Sequence, residues 1–564
     1  MDATLTETAE KKVELLPLTN FRIFAYGVGH AANDLFASCW FSYLLVYLIK
    51  VRGLDTTYAG IVMLVGQIAD GISTPLVGLF SDKTKTKLGK RRTWVLIGSC
   101  LTFTSFIFIF NECFLCDAFS GGCEEGTQRH LQLATTYYSL LTLPFQFGWA
   151  SVQINHLALV PELTTDQHKR LLLNSIRFGF TIFSNVAVFL LTFALLKTDG
   201  DGGLSPASGQ SFQILSYCCV GIGALFTIIF LVGTRENKIT HTKPAGKMFT
   251  WTKWFKESMF YKVGVIYMCT RLVINVSQVY LPFYLLDEIS MEKSSIGIVP
   301  LVMYGGSILA TLSLRFISKK LCRTSTYMIA CPFVLAACVG FYFLQVAPQG
   351  TINTSLQDVI YGIVLVLGLG NAVILVTSIT MEADMVGDRT ESGAFVYGAL
   401  SLLDKISNGA AVMVVQGLNP CPDPDTPCDD HNYFRYIMTF VPGVSVIVAF
   451  AFTLLIRIGC CCTFSAYEKE EKRRKQEKQA TKEKKAMERA QARESRKAAR
   501  GAASSEGRGG ESSEGARPIP MLSPGKSLEK VGLLEDQQMG YGGCCEEPNS
   551  FGSINGGYMG VERK

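Results

Sequence analysis

Apolar residues in this chain gather into long runs separated by short polar connections. Twelve runs are long enough to cross a bilayer, which takes about 20 mostly apolar residues at about 1.5 Å each. They fall at 21–49, 57–81, 93–111, 133–160, 171–197, 212–233, 261–287, 294–317, 326–346, 357–381, 393–417 and 433–458. The pattern predicts an all-α membrane protein of twelve transmembrane helices. The first twenty residues are polar and carry Glu7, Glu10 and Glu14, so insertion is expected to begin at the first apolar run rather than at a cleaved signal.

The connections set the topology. Six Lys/Arg crowd residues 82–92, after the second run, and taken together the even-numbered connections hold far more Lys/Arg than the odd-numbered ones. Basic connections stay in the cytosol, which places both termini there. The glycosylation sequon at Asn353 then falls on the opposite side, as do Cys113, Cys116 and Cys123 of the third connection and Cys421 and Cys428 of the eleventh. Three cysteines in one connection leave that pairing open; Cys421–Cys428 is the expected local staple.

Composition agrees. The 564 residues are 48% hydrophobic and 18% charged, against about a quarter charged in soluble proteins. Charge is concentrated in a tail: residues 467–500 hold 14 Lys/Arg and 7 Asp/Glu, a net +7 against +6 for the whole chain. The remainder is near neutral, and nucleic-acid binding is a poor reading of this charge. The basic tail suits anionic cytosolic lipid. Cys460, Cys461 and Cys462 are candidates for palmitoylation. Beyond residue 500 the chain is Gly/Ser/Glu-rich. There, Glu529 with Leu533 and Leu534 fits an acidic dileucine signal for sorting adaptors.

A faint repeat divides the apolar body. Val160-Pro-Glu-Leu-Thr-Thr-Asp166 after helix 4 echoes Thr380-Met-Glu-Ala-Asp-Met385 after helix 10. This predicts two pseudo-symmetric six-helix bundles, 21–233 and 261–458, joined by a cytosolic linker at 234–260 and flanked by tails 1–20 and 459–564. A midplane site between two such halves opens to either side as they rock.

Ionisable residues inside the runs mark the expected path, because charge held at bilayer depth is costly and rarely idle. Asp34 lies mid-helix with His30 one turn earlier; it reads as a proton-linked switch or as a static interhelical pair. Gln67, Asp70 and Thr74 share one face of helix 2; Asp70 is either an ion-coupling carboxylate or a brace to Lys405. Arg177 on helix 5 suits a small carboxylate, or a charge pair with Asp34. On helix 4, Gln153 and Asn155 could contact solute, while His156 is expected to be a satisfied interhelical hydrogen-bonder. Arg271, Asn275 and Gln278 form a polar stripe on helix 7, a cavity lining or a helix seam. Asp82, Arg91, Arg92, Glu162 and Glu382 sit at cytosolic helix ends and suggest a charge lock on the inward gate. No nucleophile–base pair or metal cluster is apparent in sequence, so neither an enzyme nor a cofactor is expected.

Gly78-x-x-x-Asp82 running to Gly89-Lys-Arg-Arg92 resembles the helix 2–3 signature of the major facilitator superfamily. Asp70-Gly-Ile-Ser-Thr-Pro75, Pro161-Glu-Leu-Thr, Arg177 and Asp404-Lys405 resemble its glycoside–pentoside–hexuronide:cation symporter branch. Tyr26-Gly-Val-Gly-His30, Asn33-Asp34-Leu35 and Phe145-Gln-Phe-Gly-Trp-Ala-Ser151 resemble one subgroup within it. That likeness implies a carrier of endolysosomal and melanosomal membranes that imports cysteine from cytosol to lumen. In the branch, Asp34 matches an acidic position that contacts sugar. Asp70 matches the first of two cation-site carboxylates, and Thr74 replaces the second, which disfavours sodium and leaves proton coupling or uniport. Gln153 and Leu157 replace an acid and an aromatic used for sugar. For cysteine, Arg177 and Lys405 would meet the carboxylate and Asp34 or Asp70 the ammonium. A proton-coupled sugar or lysolipid carrier is the alternative within the branch, and a non-transporting sensor or scaffold the alternative outside it.

Overall fold

The computed structural model describes residues 16–114, 116, 127–164, 166–200, 202–236, 251–317, 321–344, 354–386, 390–420 and 432–458. Residues through Ile456 form one compact unit. Asn353, Cys421, Cys428, Glu529, Leu533 and Leu534 lie outside the described residues.

Each apolar run is a helix. In chain order they are α1 (Asn20–Ser42 and Leu44–Val51, bent by 50°), α2 (Thr56–Lys83), α3 (Lys90–Ile109), α4 (Gln128–Leu163), α5 (Gln167–Thr198) and α6 (Gly209–Gly233). Then come α7 (Ser258–Glu288), α8 (Ser295–Ile317), α9 (Arg323–Phe343), α10 (Thr354–Val386), α11 (Thr390–Gly417) and α12 (Tyr433–Ile458). Among the described residues, ten helices are long and apolar enough to span a membrane, and the bent α1 makes an eleventh. The exception is α4, whose 36 residues give ample length. Its inner face is polar because Gln146, Ser151, Asn155 and His156 are buried against neighbouring helices rather than turned to lipid. His156 stacks on Tyr26 at 4.3 Å, with Nε2 2.8 Å from the Tyr26 carbonyl. It is a core histidine tied to α1 through Nε2, while its Nδ1 is buried without a hydrogen-bond partner among the described residues. In the third connection Cys113 is bonded to Cys116.

Helix packing repeats between the halves. α4 packs on α2 and α3, and α10 packs in the same way on α8 and α9. The halves meet along α2–α11 and α5–α8, two seams that a six-helix shift interconverts. A finer repeat emerges at the ends of α1 and α7. Tyr43-Leu-Leu-Val-Tyr47-Leu-Ile-Lys50 and Tyr280-Leu-Pro-Phe-Tyr284-Leu-Leu-Asp287 each finish in a π-helical turn, Tyr47–Val51 and Tyr284–Glu288. Such turns insert one residue and re-aim the side chains beyond it. Lys50 and Asp287 occupy equivalent places with opposite charge, and Lys50 Nζ lies 2.9 Å from Asp287 Oδ1.

The halves are closed on that side and parted on the other, which carries the basic 82–92 connection. At the far end of the α5–α8 seam a Cβ on Gly297 would lie 2.6 Å from the Phe193 nitrogen. Towards the basic face, Gly179 and Gly305 have nothing within 4 Å of that position. The α2–α11 seam behaves alike. A Cβ on Gly409 would lie 2.9 Å from Leu64, whereas Gly78 and Gly398, nearer the basic face, meet open space. Among the described residues, ion pairs on the closed face join the halves at Lys50–Asp287, Asp199–Lys293 (2.7 Å) and Lys197–Glu292 (2.9 Å). At Asp199 burial raises the carboxyl, but hydrogen bonds from Lys293 and Ser208 outweigh it and hold the group below its usual range. A depressed carboxylate loses its contribution only as pH falls through the depressed value. This clamp therefore stays charged in mildly acidic surroundings.

Candidate functional site

Midway along the helices, charges from five helices are collected into paired groups. The first stands on α1 and α5. Arg177 and Thr181 are one turn apart on α5 and face the same way. Arg177 Nη2 lies 3.2 Å from His30 Nε2, and His30 Nδ1 lies 3.1 Å from Asp34 Oδ2. A guanidinium can only donate, so Nε2 accepts and the ring proton sits on Nδ1, facing Asp34. Thr181 Oγ1 donates to the same Asp34 oxygen at 2.8 Å. His30 thus stands between Arg177 and Asp34, hydrogen-bonded to Arg177, while its Nδ1 lies close to Asp34 without a hydrogen bond among the described residues. Asp34 is buried, at 8% exposure, and Arg177 Nε has no hydrogen-bond partner among the described residues.

The second group crosses between the halves. Lys405 Nζ on α11 lies 2.6 Å from Asp70 Oδ2 on α2. Thr74 Oγ1 donates to Asp70 Oδ1 at 3.4 Å. The ammonium therefore sits where a bound cation would otherwise balance Asp70. One residue earlier on α11, Asp404 faces α7. Arg271 Nε donates to its Oδ2 at 3.1 Å, and Asn408 Nδ2 to its Oδ1 at 2.6 Å. Successive residues on a helix point about 100° apart, so Asp404 and Lys405 tie α11 to two helices at once.

The other residues singled out in the sequence lie elsewhere. Gln153 is exposed and accepts from Trp149 Nε1 at 2.7 Å, with Leu157 exposed on the next turn. Asn155 turns the other way, into its own half, where its Oδ1 accepts from Arg91 Nη1 at 3.4 Å. It belongs with the charges at the basic end. There Arg91 bridges Asp82 (2.5 Å), Ser81 (2.7 Å) and Glu162 (3.3 Å), and Lys90 reaches Glu162 at 2.9 Å. Arg92 donates to the carbonyls of Leu88 and Leu231. Glu236 accepts from the backbone N–H of Lys90 and Arg92, at 2.9 and 2.7 Å, and so caps α3 where its dipole favours an anion. These contacts fasten α2, α3, α4 and the segment after α6 within one half. Glu382, the counterpart of Glu162, is buried near Asp404 on the other half.

A pocket of about 200 Å³ opens between α5 of one half and α7, α8 and α10 of the other. Its polar lining is uncharged: Thr181, Asn185, Gln278, Tyr304, Ser307 and Asn371 are among the lining residues, interleaved with apolar side chains. Thr181 links this pocket to Asp34. Thr181, Asp404 as the partner of Arg271, and Glu236 escaped sequence reasoning. Their partners lie more than 130 residues away, and periodicity carries no signal for that.

The family model described as MFS/sugar transport protein matches residues 25–460. The chain belongs to that family. Major facilitator superfamily domain-containing protein 12 of Homo sapiens is 37% identical over 454 residues, covering 76% of this chain and 91% of the relative. The inner membrane symporter YicJ of Escherichia coli is 29% identical over 201 residues, 34% of this chain and 41% of that protein. Among solved structures, the crystal structure of a D-xylose–proton symporter superposes with a TM-score of 0.55 at 13% identity, over 77% of this chain and 97% of that one. The major facilitator fold is therefore that of this chain, and it is a multi-pass membrane transporter.

Proposed function

We propose that this transporter carries a small polar solute by alternating access, and that the solute is cysteine, moved from cytosol into lysosomes or melanosomes. The carrying observation is the uneven parting of two pseudo-equivalent seams, α2–α11 and α5–α8. Both are tight at one face and open at the other, as expected of a carrier stopped with one gate closed. The basic connections support a cytosolic open face by the positive-inside rule, with the site awaiting solute from that side. Extended similarity to protein 12 supports the subgroup reading made from the sequence motifs. The pairing of Asp70 with Lys405 supports proton coupling or uniport over sodium, because an internal cation already holds the carboxylate.

The test is the cysteine and cystine content of isolated lysosomes from cells with and without this protein, supplied with radiolabelled cysteine. The expected result is a depleted luminal pool without it. Equal pools would remove the cysteine assignment and leave the carrier fold standing.

A further inference from the structure

Among the described residues lining the pocket between the halves, one has a fully buried polar side-chain atom without a hydrogen-bond partner. Thr181 Oγ1 is engaged by Asp34, and Asn185 accepts from Ser38 at 2.6 Å and donates to the Thr181 carbonyl at 2.7 Å. Gln278 Nε2 donates to Tyr304, Ser307 Oγ to the Gly368 carbonyl, and Thr311 to the Ser307 carbonyl. Asn371 on α10 differs. It lines the same pocket and is 6% exposed, and its Oδ1 is buried without a hydrogen-bond partner among the described residues. Leaving such a group unmatched is costly. A carboxamide offers a carbonyl and an NH2 side by side, and a half-turn exchanges them.

We propose that Asn371 is the specificity-determining contact of the pocket and pairs with the donor–acceptor group at the end of the solute. The chemical class is a small solute whose charged end stays with the Arg177–His30–Asp34 group while its neutral end, a thiol or hydroxyl, enters the pocket. Thr181 lies on the boundary, bonded to Asp34 and lining the pocket. The surrounding Phe178, Ile182, Met303 and Leu375 suit the aliphatic part of the same molecule. This deepens the cysteine reading and rests on it.

A series with one variable group tests the idea: cysteine, serine and 2-aminobutyrate, which end in thiol, hydroxyl and methyl. Uptake of each is measured with full-length protein in proteoliposomes under reducing conditions. The wild type is expected to prefer the two polar-ended solutes over 2-aminobutyrate by about tenfold, the value of one buried hydrogen bond. Asn371→Leu, close in size and without polar atoms, should reduce that ratio to about one while still moving 2-aminobutyrate. Asn371→Gln keeps the amide and should retain part of the preference. An unchanged preference in Asn371→Leu would overturn the role of Asn371 and leave cysteine transport intact. A wild type that moves none of the three would overturn the cysteine reading and this inference together. Loss of all three solutes in Asn371→Leu is resolved by thermal stability in the same detergent with each solute added. Wild-type melting without solute, together with stabilisation by 2-aminobutyrate alone, supports the contact. Lowered melting without solute reassigns Asn371 to packing and overturns it.

Discussion

Exchanging Asp70 and Lys405 as a pair, Asp70→Lys with Lys405→Asp, is expected to restore the stability and part of the flux that either single neutralisation removes. Asp70 is 4% exposed and the two groups are 2.6 Å apart across the seam between α2 and α11. Neutralising one partner strands the other as an uncompensated buried charge, which costs about 3–5 kcal/mol. Asp70→Asn and Lys405→Met should each lower the melting temperature and reduce uptake at least about tenfold. The swap returns opposite charges to the same seam, so its melting temperature should recover. Uptake should recover less, because Thr74 donates to the carboxylate from α2 and cannot follow it to α11. Melting temperature of the purified variants and solute uptake in proteoliposomes check both parts.

The second large effect concerns Arg177 and Asp34. Asp34→Asn and Arg177→Ala are expected to reach the membrane in normal amounts and lose uptake at least about tenfold. The reason differs from that of a simple salt bridge. His30 separates the two charges and accepts from one while its ring proton faces the other. Removing either charge leaves one ring nitrogen without the group it faces, and so changes what a bound solute meets. His30→Ala should then disable transport as fully as the charge variants do. His30→Gln, which can donate and accept at once, should retain a measurable part. Surface expression and uptake measured on the same cells separate loss of function from loss of protein. Wild-type flux in both Asp34→Asn and Arg177→Ala would remove the proposed path.

Much of this organisation was legible in the chain, for physical reasons that also mark where reading stops. Apolar length located every helix, because burying backbone in lipid demands an uninterrupted run. It overcounted apolar character in α4, whose polar residues are hidden by helix neighbours rather than by lipid. Isolated charges at depth flagged Asp34, Asp70, Arg177 and Lys405, and all four are found in paired groups at mid-depth. Partner choice was less accessible. Nothing local distinguishes a direct Arg177–Asp34 pair from one with His30 between the two charges, since the outcome depends on how far α5 stands from α1. Likewise the paired π-helical turns at Lys50 and Asp287 are masked by hydropathy, because the repeat lies in tyrosine spacing and a reversal of charge. Asn155 shows the hazard of helical proximity. Two positions from Gln153, it points to the opposite side and serves Arg91.

Movement between the halves is the central claim, and it can be measured without knowing the solute. Spin labels at Gly78→Cys and Gly398→Cys report the basic face, and labels at Thr57→Cys and Leu418→Cys report the closed one. Double electron–electron resonance on full-length protein in nanodiscs should give a long distance for the first pair and a short one for the second in the dominant population. Adding saturating cysteine should produce a second population in which the first pair shortens and the second lengthens together. Distances that stay fixed, or that lengthen at both faces at once, would contradict alternating access between the two halves.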